Sequence, residues 1–314
     1  MGQARIKRQK HAEGPCRCGS GLSGNACCFD GLTFFRQPAK VTLCRENRVG
    51  AAAKCYLRAT NSCSPDMSRE HLFSGSILDK IDKSGLVVSG LPWLNGAEKR
   101  VSRNDLVAKC LCRGHNSDLS PLDQSMSQFV ALLEQVDLTR TGDLIEAIIS
   151  GHDIERWMLK TMLAMASSRN FTKTGEIAPI AIHPAFDGAK LLAEPYAWPQ
   201  GIGLAYLRAA DGLLPRLDEV AIGPLWAGDT LAGVRAWISG FVFEIAASAR
   251  PADAVYRPGE IVVIHPTVTH RIKLCWNGEH HDRVELTFKD TCGEALARGL
   301  DLDHLRDRSM KGAN

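Results

Sequence analysis

The 314-residue chain lacks an apolar run of about 18 residues, the length a membrane-crossing helix needs. Its basic start, "MGQARIKRQKHAEG", has no apolar stretch behind it, which argues against a secretory signal. Gly2 follows Met1, but the sixth residue is Ile6 rather than Ser or Thr, which argues against myristoylation. Aromatic residues make up only 6%, little material for a base-stacking platform. There are no internal repeats and no low-complexity linker. These absences predict a cytoplasmic protein with no membrane partner. What remains is ordinary for a soluble globular chain, 45% hydrophobic and 23% charged, and long enough for two domains or for one domain with small modules.

Cysteine is nearly missing from the second half. Nine of the 11 cysteines lie between Cys16 and Cys112, and only Cys275 and Cys292 lie beyond. An odd count, tight clusters and no export signal point to metal ligation rather than disulfides. Charge is divided in the same way. Residues 1–125 hold 19 Lys and Arg against 11 Asp and Glu, whereas residues 126–314 hold 19 against 24. A basic first half is compatible with nucleic acid as its partner.

The first cluster, "CRCGSGLSGNACC", has the spacing C-x-C-x8-C-C. Cys16, Cys18, Cys27 and Cys28 can close a tetrahedral zinc site, and a segment this short cannot fold on an apolar core of its own. With Gly19, Ser20 and Gly21 it resembles the SEC-C motif, a zinc module named from the C terminus of the bacterial preprotein translocase ATPase. The chain departs from that motif by having "LSGNA" where lysines are usual. The resemblance implies docking to a protein partner.

The second group begins at "SREHL", read as a strand ending on Glu70 and His71. "LVAKCLC" is read as a second strand. In "HNSDLSPLDQSMSQFVALLEQVD", Leu122, Met126, Phe129, Leu133 and Val136 recur at helical spacing, and Ser120 before Pro121 reads as the helix start. Strand, strand, Cys-x2-His-Asn and helix together resemble the HNH endonucleases of the ββα-metal class, in their zinc-knuckle variant. The resemblance implies His71 as general base on water, Glu70 and Asn116 as ligands of a catalytic Mg²⁺ or Mn²⁺, and Asn104 as the residue that orients His71. It implies a structural zinc on Cys55, Cys63, Cys112 and His115. The x7 spacing of Cys55 and Cys63 is wider than the family's x2, so Cys44 and Cys110 remain alternatives to Cys55. A carboxylate with an amide oxygen suits a hard dication, and thiolates with imidazole suit zinc. Arg69, Lys109 and Arg113 are the candidate phosphate contacts.

Between the two strands, "SGSILDKIDK" reads as a short helix, and "GLVVSGLPWLNG" as an irregular or hairpin insertion over Trp93. "TGDLIEAIISGHDIERWMLKTMLAMASSRNF" reads as two helices divided at Gly151. From Gly201 onward short apolar runs bounded by Gly, Pro, Asn and Asp predict antiparallel strands. His265, His270, Cys275, His280 and His281 show no familiar ligand spacing and read as turns between strands. The expected fold is therefore α+β: a basic tail and zinc module at 1–35, an HNH-like ββα-metal core with zinc knuckles at 44–136, and at 137–314 a helix pair followed by a mostly antiparallel β domain. The expected function is a metal-dependent endonuclease acting on nucleic acid, DNA foremost, with two structural zinc ions. Bacterial defence or a mobile element would be its natural setting. Cutting both strands with one site favours a homodimer. The alternative is a noncatalytic zinc-stapled adaptor that binds protein or DNA.

Overall fold

The computed structural model describes residues 3–18, 20–81, 86–88, 99–168, 180–207, 220–238, 241–247, 254–277 and 283–287. The first element, in the stretch read as a basic tail, is a helix, α1 (Gln3–Glu13). Its anchor is His11, whose ring meets Phe29 and Phe34 at centroid distances of 5.8 and 5.4 Å. Next come β1 (Glu70–His71), α2 (Gly75–Ile81), and the hairpin β2 (Leu86–Val88) and β3 (Lys99–Val101). Then follow β4 (Val107–Ala108) and the long helix α3 (Arg113–Leu138). The expected short helix is present; β2 falls within the expected insertion and pairs with β3 just beyond it, while residues 89–98, Trp93 among them, lie outside the described residues.

Helix α3 starts eight residues before the Ser120–Pro121 signal. Cys112 caps it, its sulfur accepting from the His115 backbone N–H at 3.5 Å. Pro121 therefore sits inside the helix, where its missing N–H would leave the Ser117 carbonyl without a partner. The Ser120 hydroxyl donates to that carbonyl at 2.8 Å. The apolar periodicity holds: Leu122, Met126, Phe129, Leu133 and Val136 are all fully buried.

The chain after α3 corrects one reading. "EAIIS" is a strand, β5 (Glu146–Ser150), not the first of two helices. Ala147, Ile148 and Ile149 are buried in succession, and so short an apolar run fits either a strand or a buried helix by pattern alone. Helix α4 (Gly151–Ser168) follows, with every residue from Gly151 to Ala166 buried. Then come α5 (Gly188–Ala193), β6 (Leu204–Leu207), β7 (Val220–Ala227), β8 (Thr230–Ile238), β9 (Phe241–Ala246), β10 (Val255–Tyr256), β11 (Glu260–Ile264), β12 (Thr269–Cys275) and β13 (Arg283–Thr287).

These strands make two sheets. One is antiparallel throughout, in the order β10-β6-β9-β8-β7. The other, β13-β11-β12-β5, is mixed: β11 and β12 are antiparallel, while β13 and β5 run parallel to their neighbours. Helix α4 packs against α3, α5 and strands of both sheets. Its charges are paired, as buried ions must be: Arg156 with Asp153 at 2.6 Å, and Glu155 with Arg257 at 3.0 Å. One hydrophobic core runs from Val41 to Trp276 and crosses residue 136 without a break.

His265 and His270 serve as clamps rather than turns. Their Nε2 atoms lie 2.7 Å from the Val136 carbonyl and 2.5 Å from the Thr139 carbonyl at the end of α3. Imidazole N–H groups there satisfy carbonyls that the helix leaves unbonded. His280, His281 and Cys292 lie outside the described residues.

Candidate zinc sites and the Glu70–His71 hairpin

Two groups of side chains gather as metal-sized clusters among the described residues. They are Cys16, Cys18, Cys27, Cys28, and Cys55, Cys63, Cys112, His115. In each, the ligand atoms all lie within 4.8 Å of one another. Zinc–sulfur bonds of about 2.3 Å put tetrahedral ligands roughly 3.8 Å apart, so both groups could hold a zinc ion.

In the first group, Cys27 Sγ lies 3.4 Å from both Cys18 Sγ and Cys28 Sγ. Cys16 N–H donates to the Leu22 carbonyl at 2.8 Å, which closes the intervening loop. The Ser20 hydroxyl donates to Cys27 Sγ at 3.3 Å, and Arg36 Nη1 to Cys18 Sγ at 3.1 Å. Burial opposes ionisation of Cys18, but hydrogen bonds from Ser20, Cys27 and Cys16 outweigh it and bring its thiol down to about 6. The module does not stand apart. Its Arg17 pairs with Glu146 of β5 at 2.6 Å, its Arg17 carbonyl accepts from Ile148 N–H at 3.2 Å, and Ile148 joins its small apolar core.

In the second group, His115 Nδ1 faces Cys112 Sγ at 3.3 Å, Cys55 Sγ at 3.5 Å and Cys63 Sγ at 3.8 Å. Its other nitrogen, Nε2, lies 3.0 Å from the Leu43 carbonyl and 3.1 Å from Thr60 Oγ1. A proton on Nε2 donates to that carbonyl and leaves the Nδ1 lone pair turned toward the three sulfurs, the arrangement that orients a metal-bound imidazole. Burial lowers the His115 pKa, which keeps the ring neutral and able to ligate. Burial, with Cys112 and Cys63 beside it, pushes the Cys55 thiol up to about 12. Three thiolates cannot share this pocket without a compensating cation. The x7 spacing is accommodated by a single 3₁₀ turn, Arg58–Thr60, between the two cysteines. Cys44 is exposed and Cys110 is buried in a separate small cluster with Leu72 and Ala164, so Cys55 takes the fourth position. Gly114, inside the Cys-x2-His turn, leaves room for the Arg48 guanidinium, which pairs with Asp118; an added Cβ would lie 2.0 Å from Arg48 Nη1.

The zinc-capable turn sits at the root of an antiparallel hairpin. Met67 bridges Cys112, Glu70 pairs with Ala108, and His71 with Val107. The element order β1, β4, α3 is thus strand, strand, helix, interrupted by α2 and the β2–β3 hairpin. Neighbouring residues on a strand point to opposite faces. Glu70 turns inward and is 3% exposed. Its Oε1 lies 2.8 Å from Lys160 Nζ of α4, which also lies 2.6 Å from Asp123 Oδ2 of α3. Asp123 accepts from the Ser74 hydroxyl, and Trp157 Nε1 donates to Ser74 at 2.8 Å. Burial raises the Glu70 pKa against the pull of Lys160. His71, half-buried, packs over Gly75 at the start of α2; a Cβ there would lie 3.2 to 3.4 Å from its ring.

The other expected site residues are more dispersed. Asn116 is half-buried one turn into α3, its N–H bonded to the Cys112 carbonyl at 2.9 Å. Asn104 is exposed on the turn Arg103–Asp105, and its carbonyl accepts from Arg69 Nη2 at 3.1 Å. Arg69, Lys109 and Arg113 are all exposed. Sequence reasoning missed Lys160 and Asp123. The signal for Lys160 was its position in "WMLKTML", a lysine enclosed by apolar residues and so in need of a buried partner.

No family model, curated protein or solved structure matches this chain. None of the described helices is long and apolar enough to cross a membrane.

Proposed function

We propose that residues 44–136 work as a zinc-stapled, HNH-like ββα module that hydrolyses phosphodiester bonds in nucleic acid, DNA foremost. The observation that carries this reading is the convergence of Cys55, Cys63, Cys112 and His115 at the root of a hairpin ending in His71 and leading into α3. His71 would take the proton of a water as its oxygen attacks phosphorus, and the leaving oxygen would depart with a proton from solvent. The zinc ions hold the frame, and the module at 1–35 serves as the docking part toward a protein partner. Unoxidised thiol clusters suit the cytoplasm.

A catalytic Mg²⁺ or Mn²⁺, which would neutralise phosphate charge when bound, would fall to Glu70 and Asn116. The residues as placed do not fit it, because the ammonium of Lys160 already holds the Glu70 carboxylate. That contact favours a second reading, in which the same zinc-stapled frame binds DNA or protein without cutting.

Cleavage of supercoiled plasmid and of labelled RNA, measured in chelator, Mg²⁺ and Mn²⁺, separates the two. Nicking dependent on the dication supports the first reading and requires Glu70 to leave Lys160. No cleavage of either substrate under any condition, by protein carrying both zinc ions, leaves the binding module.

A further inference from the structure

A cleft of about 440 Å³ opens between α1, the N-terminal zinc module and strands β5, β11 and β12. Five cationic side chains line it: Lys7, Arg8, Arg17, Arg271 and Lys273, together with His11. Two carboxylates line it as well, and each is already engaged, Glu146 by Arg17 at 2.6 Å and Glu260 by Arg271 at 3.4 Å. That leaves three cations outside any ion pair among the described residues, although the Asp30 carboxylate lies close enough to feel the charge of Lys273. Lys7 and Arg8 are exposed and form no ion pair among the described residues. Lys273 Nζ donates to the Phe34 carbonyl at 2.9 Å and to Thr33 Oγ1 at 3.4 Å, neither of which carries charge.

We propose that this cleft is a second nucleic-acid contact, separate from the Glu70–His71 hairpin, in which Lys7, Arg8 and Lys273 hold the phosphodiester backbone. The inference rests on nucleic acid being the substrate class. The three cations come from segments more than 250 residues apart in sequence. Only the docking of the zinc module on β5 brings them together, so the module would act as the clamp that builds the surface. Converging cations without base-reading groups favour phosphate contact that is indifferent to sequence. Burial, then Arg17 and Lys7, lower the pKa of His11 against the pull of Glu146.

The test uses full-length zinc-loaded protein carrying His71→Ala, so that cleavage does not interfere. Fluorescence anisotropy with a labelled duplex and a labelled single strand is read between about 50 and 200 mM salt, the range over which phosphate-driven affinity falls steeply. Lys7→Ala/Arg8→Ala, on the exposed face of α1, is expected to weaken binding about tenfold and to reduce the log–log salt slope by about 2, near one per lost phosphate contact. Lys273→Gln is expected to reduce the slope by about 1. Zinc content and far-UV circular dichroism check that each variant is folded. Unchanged affinity and slope in the double variant would overturn the cleft while leaving the nuclease reading intact. Weakened binding in the double variant, with no cleavage by the protein that keeps His71, would sink the nuclease reading and keep the cleft. Failure of the parent protein to bind either nucleic acid, or capture of a poly-glutamate peptide in preference to both, would overturn the proposal in favour of an acidic protein partner.

Discussion

Lys160 of α4 bridges Glu70 of β1 and Asp123 of α3, at 2.8 and 2.6 Å, in the interior of the protein. One ammonium thus ties the hairpin, the long helix and the central helix together. Removing it leaves the buried Glu70 carboxylate and the half-buried Asp123 carboxylate without their counter-charge, so Lys160→Met should destabilise the fold by about 3–5 kcal/mol in urea titrations. The dependence on pH has a definite sign. Burial alone would lower the Lys160 pKa, but Glu70 and Asp123 outweigh it and raise the value above 10.5. A raised lysine contributes fully below its unfolded value and loses that contribution as pH rises through its folded one. The urea midpoint of the wild type should therefore fall on the alkaline side of about pH 10.5, and this part of the fall should be absent in Lys160→Met.

Zinc content distinguishes the proposed ligands from their neighbours. Wild type should carry two ions. Cys55→Ser or His115→Ala should bring the count to one, as should Cys18→Ser, while Cys44→Ser and Cys110→Ser should keep both. Mass spectrometry under native conditions or atomic emission reads the count directly. A strong chelator should lower the thermal midpoint of the wild type, because metal affinity in such small sites is folding free energy. Retention of two ions by Cys55→Ser would reopen the assignment of the fourth ligand.

Gly24 lies where the zinc module meets α1. A Cβ at this position would fall 2.0 Å from the His11 carbonyl oxygen, a backbone atom with no easy way to move. Gly24→Ala should force α1 away at a cost of about 1–3 kcal/mol. The readout is faster proteolysis at the basic residues of α1, with zinc content unchanged. Cleavage no faster than in wild type would mean that α1 does not dock as described.

Gly75 lies under the His71 ring. Gly75→Ala places a methyl 3.2 Å from Cε1 and must shift the imidazole by a few tenths of an ångström. If His71 is the base, hydrolysis should slow about tenfold, since misplacement of a catalytic group by about 1 Å can cost two orders of magnitude. Stability should change much less than activity. Equal activity in Gly75→Ala and wild type would argue against a chemical role for this ring.

Much of the metal chemistry was legible in the sequence, because thiol and imidazole spacing is a local property. Cys16, Cys18, Cys27 and Cys28 lie within 13 residues and gather as read. The second group also gathers, with Cys55 admitted by the 3₁₀ turn that no spacing rule anticipates. The periodic run Leu122 to Val136 is helical as read, but its start is not. The signal at Ser120–Pro121 was overridden by the Cys112 cap, and the Ser120 hydroxyl makes the internal proline tolerable. Strand β5 was misread because its environment comes from β12, more than 100 residues later. The surroundings of Glu70 were invisible for the same reason: its partner Lys160 sits on another helix, and a lone Glu-His dipeptide says nothing about which residue its carboxylate will meet. The docking of the zinc module on β5 likewise depends on Arg17 and Glu146 meeting across the fold.

The decisive measurement is plasmid cleavage by wild type beside His71→Ala, with zinc content determined on both. His71→Ala should abolish nicking, at least a hundredfold slower by the usual contribution of a general base, while both proteins keep two zinc ions. Nicking at equal rates by the two proteins would contradict His71 as the base and, with it, the reading of this hairpin as a nuclease centre.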